Sequence, residues 1–218
     1  MTAMPKVGVF DSGMGGLSVA GAIERALPEN IVIFKNDREH MPYGDKTPAE
    51  LLALAVPMLQ GLVDAGCAVI VVACNTLTTT LIEPLRERIA VPLIGMEPMV
   101  KPAAERSKTG VIAVCATPAT LASDRYAWLK ATYAPDVIVL EPDCSRWASM
   151  IEHNQLNEQL IERQIDDVCT AGADVIVLGC THYHWIEEKI RAMASDRAVI
   201  LQPEQPVIAQ LKRVLAAA

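Results

Sequence analysis

Two stretches of the chain, AGCAVIVVACNT at residues 65–76 and AGADVIVLGCTH at residues 171–182, agree at six of their twelve positions. Each runs from Ala-Gly through an apolar, β-branched segment to a cysteine, Cys74 in the first and Cys180 in the second. A strand buried on both faces of a parallel sheet reads as such a continuous Val/Ile run, and open α/β sheets bind ligands just past the carboxyl ends of their strands. Both thiols fall at that position. Cys67, Cys115 and Cys169 read more simply as small buried hydrophobes. Cys74 and Cys180 differ, because polar residues follow each at once, Asn75-Thr76 and Thr181-His182, before helical sequence resumes.

Working outward, the strands and helices alternate along the whole chain. KVGVFDSG at residues 6–13 is a short apolar strand stopped by Asp11, Ser12 and Gly13, and the glycines that follow lead into a helix. Glycines between a strand and a helix N-terminus let backbone N–H groups reach a carboxylate or a phosphate. A dinucleotide fingerprint would require glycine where Ser18 stands, and the Gly-Lys-Ser/Thr of a P-loop is missing. Residues 30–37 predict a second strand, and the loop at 38–48, with Pro42-Tyr43-Gly44, is rigid and then permissive. Helical periodicity over 49–65 contains Pro57, which predicts a kink. After the first cysteine strand, a helix is expected over 77–89, opening on Thr78, Thr79 and Thr80, and a strand over 90–96.

A second series starts with a strand at 110–115 and Thr117, followed by a strand at 136–144, a largely helical stretch over 146–170 around Glu152, and the second cysteine strand. A helix over 184–194, a strand at 198–202 and a last helix complete it. The expected fold is α/β, with two pseudo-symmetric three-layer lobes, mainly parallel sheets and the active site in the cleft between them. Residues 1–96 plus 205–218 form the lobe carrying Cys74, and 97–204 the lobe carrying Cys180.

Composition narrows the function. A net charge of −7 over 218 residues, without a Lys/Arg cluster, argues against nucleic acid and against an anionic membrane surface. Six cysteines without disulfide-like spacing predict a reducing compartment, the cytoplasm, and no apolar run approaches the roughly 18 residues a membrane helix needs. A small molecule is the expected partner, with a homodimer as an assembly the sequence permits.

Paired thiols at equivalent points permit three chemistries. A dithiol redox couple normally uses C-x-x-C, which is absent. A metal could recruit Cys74, Cys180, His182 and Asp11, but no companion pair of zinc-like spacing exists. The third is acid–base chemistry on one carbon, in which a thiolate removes a proton from one face and a thiol delivers one to the other. An unperturbed thiol has a pKa of about 8.5, so each needs a group to adjust it. Asp11 is the candidate for Cys74 and His182 for Cys180, although a capping Asp and a core His account for those residues equally well. A helical Glu152 usually marks only a solvated face.

VGVFDSGMGGLSV at 7–19, MPYG at 41–44, ACNT at 73–76 and GCTHYHW at 179–185, in this order, resemble the aspartate/glutamate racemase superfamily, and within it the glutamate racemases. The resemblance implies cofactor-independent, metal-free two-base racemisation of glutamate, supplying D-glutamate for peptidoglycan. It implies that Cys74 acts on the D-enantiomer and Cys180 on the L-enantiomer, with Asp11 and His182 as assistants and Glu152 as a further acidic residue. Ser12, Pro42, Tyr43, Gly44, Asn75, Thr76, Thr117 and Thr181 match substrate-binding positions. The chain departs from the pattern at His40, where the family commonly has arginine, at His184 and at Gln202. An aspartate racemase, or an idle amino-acid-binding protein that keeps the pocket, stands as the alternative.

Overall fold

A computed structural model describes residues 4–217. By internal contacts the chain separates into two compact units, one running to Met96 and resuming at Glu204, the other spanning Glu97–Pro203. The first contains β1 (Lys6–Asp11), α1 (Leu17–Ala26), β2 (Ile31–Asn36), α2 (Pro48–Asp64), β3 (Cys67–Val72), α3 (Asn75–Arg86) and β4 (Leu93–Gly95). The second contains α4 (Val100–Arg106), β5 (Val111–Ala116), α5 (Pro118–Leu121), α6 (Asp124–Tyr133), β6 (Ile138–Leu140), α7 (Trp147–Glu152) and α8 (Glu158–Thr170). It continues through β7 (Val175–Gly179), α9 (Thr181–His184), α10 (Glu187–Ala194) and β8 (Val199–Leu201). The last helix, α11 (Glu204–Ala216), belongs to the first unit.

Each unit holds one four-stranded parallel sheet, ordered β2-β1-β3-β4 in the first and β6-β5-β7-β8 in the second. The repeat quoted from the sequence is thus a repeat of topology, with β3 and β7 as equivalent central strands. Their residues alternate between two faces. Ile70 and Val72 pack with α2 and α3 through Leu51, Leu59, Leu77 and Leu85, while Val69 and Val71 meet α1 and α11 through Ile23, Val207 and Leu211. In the second unit Ile176 and Leu178 face α8 and α10, and Val175 and Val177 face α4 and α6. Burial on both faces explains why these strands read as unbroken apolar runs. Each such side chain contributes about 1.5–3 kcal/mol of burial, which makes these layers the main support of each unit.

The duplicated Ala-Gly is the device that delivers the chain into both strands. Gly66 and Gly172 adopt φ of +85° and +98°, and their N–H groups close the preceding helices onto Val63 and Cys169 carbonyls. That left-handed conformation after a helix favours glycine, which has no Cβ to clash. At the other end of α2, Thr47 and Glu50 form a reciprocal capping box ahead of Pro48. The helix then runs unbroken through Pro57.

Several boundaries differ from the sequence expectation. α3 begins at Asn75 rather than 77, because the Cys74 side chain accepts the Leu77 N–H and starts the helix early. The helical stretch over 146–170 is two helices, separated by a turn in which Asn154 takes φ +54°. The stretch over 184–194 is also divided, α9 closing at His184 before α10 starts at Glu187. β6 is confined to Ile138–Leu140, and residues 141–146 form a loop.

Candidate functional site

In both sheets the strand order reverses direction between the two central strands, so the carboxyl ends of β1 with β3, and of β5 with β7, are the natural ligand crevices. Asp11 ends β1 and Ser12 follows it, beside Cys74, the register being fixed where the Ala73 N–H donates to the Phe10 carbonyl at 2.8 Å. Thr117 follows β5 beside Cys180 in the same way, since Ala116 pairs with Gly179.

In the first unit the Cys74 thiol is buried and donates to Ser12 Oγ at 3.4 Å, while the Leu77 N–H at the start of α3 approaches its sulfur at 3.5 Å. Burial pushes this thiol up to about 12, and the neighbouring Asp11 charge pushes in the same direction against the lowering by Ser12 and Leu77. Asp11 is 1% exposed and accepts the Gly16 N–H at 2.6 Å through Oδ2. A Cβ at residue 16 would stand 2.6 Å from Asp11 Cβ, so the close approach of that turn to the carboxylate requires glycine. Asn75 is 3% exposed, and neither its side-chain nitrogen nor its oxygen has a hydrogen-bond partner among the described residues. A buried amide left unpaired costs about 1–3 kcal/mol, which a ligand bonding to it would recover.

Thr76 is buried in the first turn of α3. The threonine run beyond it has a structural task, Thr78 Oγ1 donating to the Val72 carbonyl and accepting the Met96 N–H, which ties α3 to the ends of β3 and β4. Tyr43 is buried between exposed Pro42 and Gly44, its hydroxyl donating to Asp37 Oδ2 at 2.8 Å. Burial and the Asp37 carboxylate hold its phenol well above the usual range, with smaller contributions from Cys74 and Asp11. The sequence reading passed over Asp37, a buried carboxylate closing the loop; its position at the carboxyl end of a strand, one residue beyond β2, was the available signal.

In the second unit three side chains form a chain. Cys180 Sγ lies 3.7 Å from His182 Nδ1, and His182 Nε2 lies 2.6 Å from Glu152 Oε2. The His182 and Glu152 side chains are 5% and 3% exposed. Glu152 is therefore not on a solvated face. α7 carries it to His182 because Trp147 and Tyr183 meet edge to face at 5.1 Å, and the Tyr183 hydroxyl donates to the Cys144 carbonyl at 3.1 Å. The hydrogen-bond roles that satisfy all three groups place a proton on Nε2, donated to the carboxylate, and leave Nδ1 to accept from the thiol. His184, two residues on, is held down to about 4 by burial and by the nearby His182. Thr181 is 2% exposed, and Thr117 caps α5 by accepting the Thr120 N–H.

All six cysteines are free, and no group of three His, Cys, Asp or Glu side chains among the described residues is arranged to hold a metal. Among the same residues no helix is long and apolar enough to cross a membrane.

Comparison with known proteins points to one group. The family model described as Asp/Glu/Hydantoin racemase matches residues 15–210. A glutamate racemase of Ralstonia pickettii is 40% identical over 220 residues, covering 99% of this chain and 78% of its own. One of Herpetosiphon aurantiacus is 39% identical over 216 residues, covering 97% of this chain and 85% of its own. The crystal structure of Escherichia coli glutamate racemase with L-glutamate and the activator UDP-MurNAc-ala superposes with a TM-score of 0.90 at 27% identity, covering 97% of this chain and 82% of that one. An aspartate racemase of Picrophilus torridus shares the fold at a TM-score of 0.64 and 18% identity, over 96% of this chain and 94% of its own.

Proposed function

Because the chain belongs to the Asp/Glu/Hydantoin racemase family, we propose that it interconverts L- and D-glutamate by a two-base reaction in which Cys74 and Cys180 work on opposite faces of the α-carbon. The observation that carries this reading is the duplication: each sheet ends its third strand in a buried thiol that starts the next helix. In one direction the Cys180 thiolate takes the α-proton of L-glutamate, the electron pair remains on the α-carbon and its carboxylate, and the Cys74 thiol delivers its own proton to the other face. In the reverse direction Cys74 is the base and Cys180 the acid.

Two differently equipped thiols suit the two halves of this exchange. For Cys180, passing its proton to His182 leaves a thiolate beside an imidazolium that Glu152 stabilises, the logic of a nucleophile, a base and an orienting carboxylate. Cys74 has no histidine, and in the free protein its pKa of about 12 keeps it protonated. The bound amino acid supplies the missing cation, since its α-ammonium offsets the Asp11 charge and makes the thiolate accessible. Asn75, with both amide groups available, is suited to the substrate's carboxylate and ammonium, and Ser12, Thr76, Thr117, Thr181 and the loop of Pro42, Tyr43 and Gly44 complete the proposed contacts. The biological role in this reading is supply of D-glutamate for peptidoglycan in the reducing cytoplasm, consistent with six free thiols.

Polarimetry of the purified protein with L-glutamate, and separately with L-aspartate, tests the reading. Loss of rotation with glutamate well ahead of aspartate supports it. Faster racemisation of aspartate would transfer the site to the other substrate, and binding without loss of rotation would make this an idle binding protein.

A further inference from the structure

Asp37 stands where β2 meets the proposed substrate loop, and its side chain is only 2% exposed. Its backbone N–H donates to the Asp11 carbonyl at 3.2 Å, which fastens it to the end of β1. Each carboxylate oxygen has one side-chain partner: His40 Nδ1 at 2.6 Å on Oδ1 and the Tyr43 hydroxyl at 2.8 Å on Oδ2. A buried carboxylate needs compensation, and of these two partners only the imidazole can carry a positive charge. His40 is 45% exposed, so its side chain can be replaced without disturbing the core.

We infer that His40 is a positioning residue, whose imidazole fixes Asp37 so that the opposite carboxylate oxygen orients Tyr43 and the loop around it for substrate. This inference rests on the proposed role of that loop. Its consequence is a latch, in which the His40 hydrogen bond holds the buried carboxylate and, through it, the Tyr43 hydroxyl. Arg38, the residue after Asp37, is exposed. Asp11 from β1 and Cys74 from the start of α3 act on the Tyr43 phenol, which stays protonated. Glu39 and Asp45 on the loop are exposed, and the Lys35 ammonium lies over Gly61 of α2.

The test compares the wild type with His40→Gln, His40→Arg and Asp37→Asn. Amide hydrogen exchange of residues 38–46 is read alongside KM and kcat for both glutamate enantiomers. Losing one charge-assisted bond predicts faster loop exchange and a KM raised about five- to tenfold for both enantiomers in His40→Gln, with kcat within about twofold of wild type. Asp37→Asn follows the same pattern. His40→Arg, which keeps a cationic donor beside Asp37, restores slow exchange relative to His40→Gln. Unchanged loop exchange in the exposed and structurally mild His40→Gln variant, or a KM in that variant equal to that of the wild type, overturns the inference. If the wild type racemises neither amino acid, the functional reading fails, and the exchange data still decide whether the latch exists.

Discussion

His182 Nε2 lies 2.6 Å from Glu152 Oε2, with both side chains almost wholly buried. In the proposed reaction Glu152 fixes the tautomer that turns Nδ1 toward Cys180, and it stabilises the imidazolium formed when the thiol gives up its proton. Glu152→Gln keeps the shape and removes the charge. The two enantiomers have equal free energy, so kcat/KM must fall by the same factor in both directions, about 10²–10⁴-fold if proton transfer is disabled. The asymmetry appears in primary isotope effects on the α-proton, which should rise from L-glutamate, where Cys180 is the base, more than from D-glutamate. Equal isotope effects in the two directions would remove Glu152 and His182 from the service of Cys180.

Replacing either thiol by a hydroxyl tests the pair itself. A serine hydroxyl is a far weaker acid than a thiol, so Cys74→Ser and Cys180→Ser should each lower turnover by at least about 10²-fold. Unchanged thermal unfolding would show that the fold survives. Near-normal turnover in either variant would make that cysteine a core residue.

Gly16→Ala should disable the first unit without touching a thiol. Its Cβ would fall 2.6 Å from the Cβ of buried Asp11 and 3.0 Å from Cε2 of Phe34, which packs partly buried against the core. Overpacking of this kind costs about 1–3 kcal/mol and moves the Gly16 N–H that Asp11 accepts. Chemical denaturation and kcat/KM should both fall. A variant of normal stability and activity would mean that the turn bends away freely.

His184 makes a prediction about acid stability. Its folded-state pKa is lowered from 6.5 to about 4, so the folded protein binds fewer protons there than the unfolded chain. The contribution is present above pH 6.5 and is lost as pH falls through 4, amounting to on the order of 3 kcal/mol across that window. Wild type should therefore lose more thermal stability than His184→Asn between about pH 7 and about pH 4.5, by several degrees for a domain of this size. Parallel losses in the two proteins would show that His184 does not titrate in that window.

The sequence disclosed the duplication of the fold better than the ends of its elements. The Ala-Gly and Val/Ile runs before Cys74 and Cys180 are dictated by a left-handed turn and two buried faces, requirements that act on local residue types. The family resemblance, carried by four short motifs, agrees with the fold and the matched family model. Glu152 and Asp37 were less legible, since nothing in a Glu on a short helix, or an Asp closing a strand, foretells burial against His182 or Tyr43. Those placements are made by distant packing, Trp147 on Tyr183 in one unit and the β1 to β2 register in the other. The division of residues 146–170 has a local cause, the left-handed Asn154, which apolar periodicity does not register.

Two proton donors on opposite faces leave a mark that a single base cannot. Wild-type protein turning over L-glutamate in deuterated water can be stopped at low conversion and both enantiomers separated for mass analysis. The account predicts D-glutamate carrying one deuterium at the α-carbon while the remaining L-glutamate stays protiated, because the proton delivered comes from Cys74 and the proton removed stays with Cys180. Deuterium accumulating in unreacted L-glutamate as fast as in product, or product that retains the original proton, would contradict it.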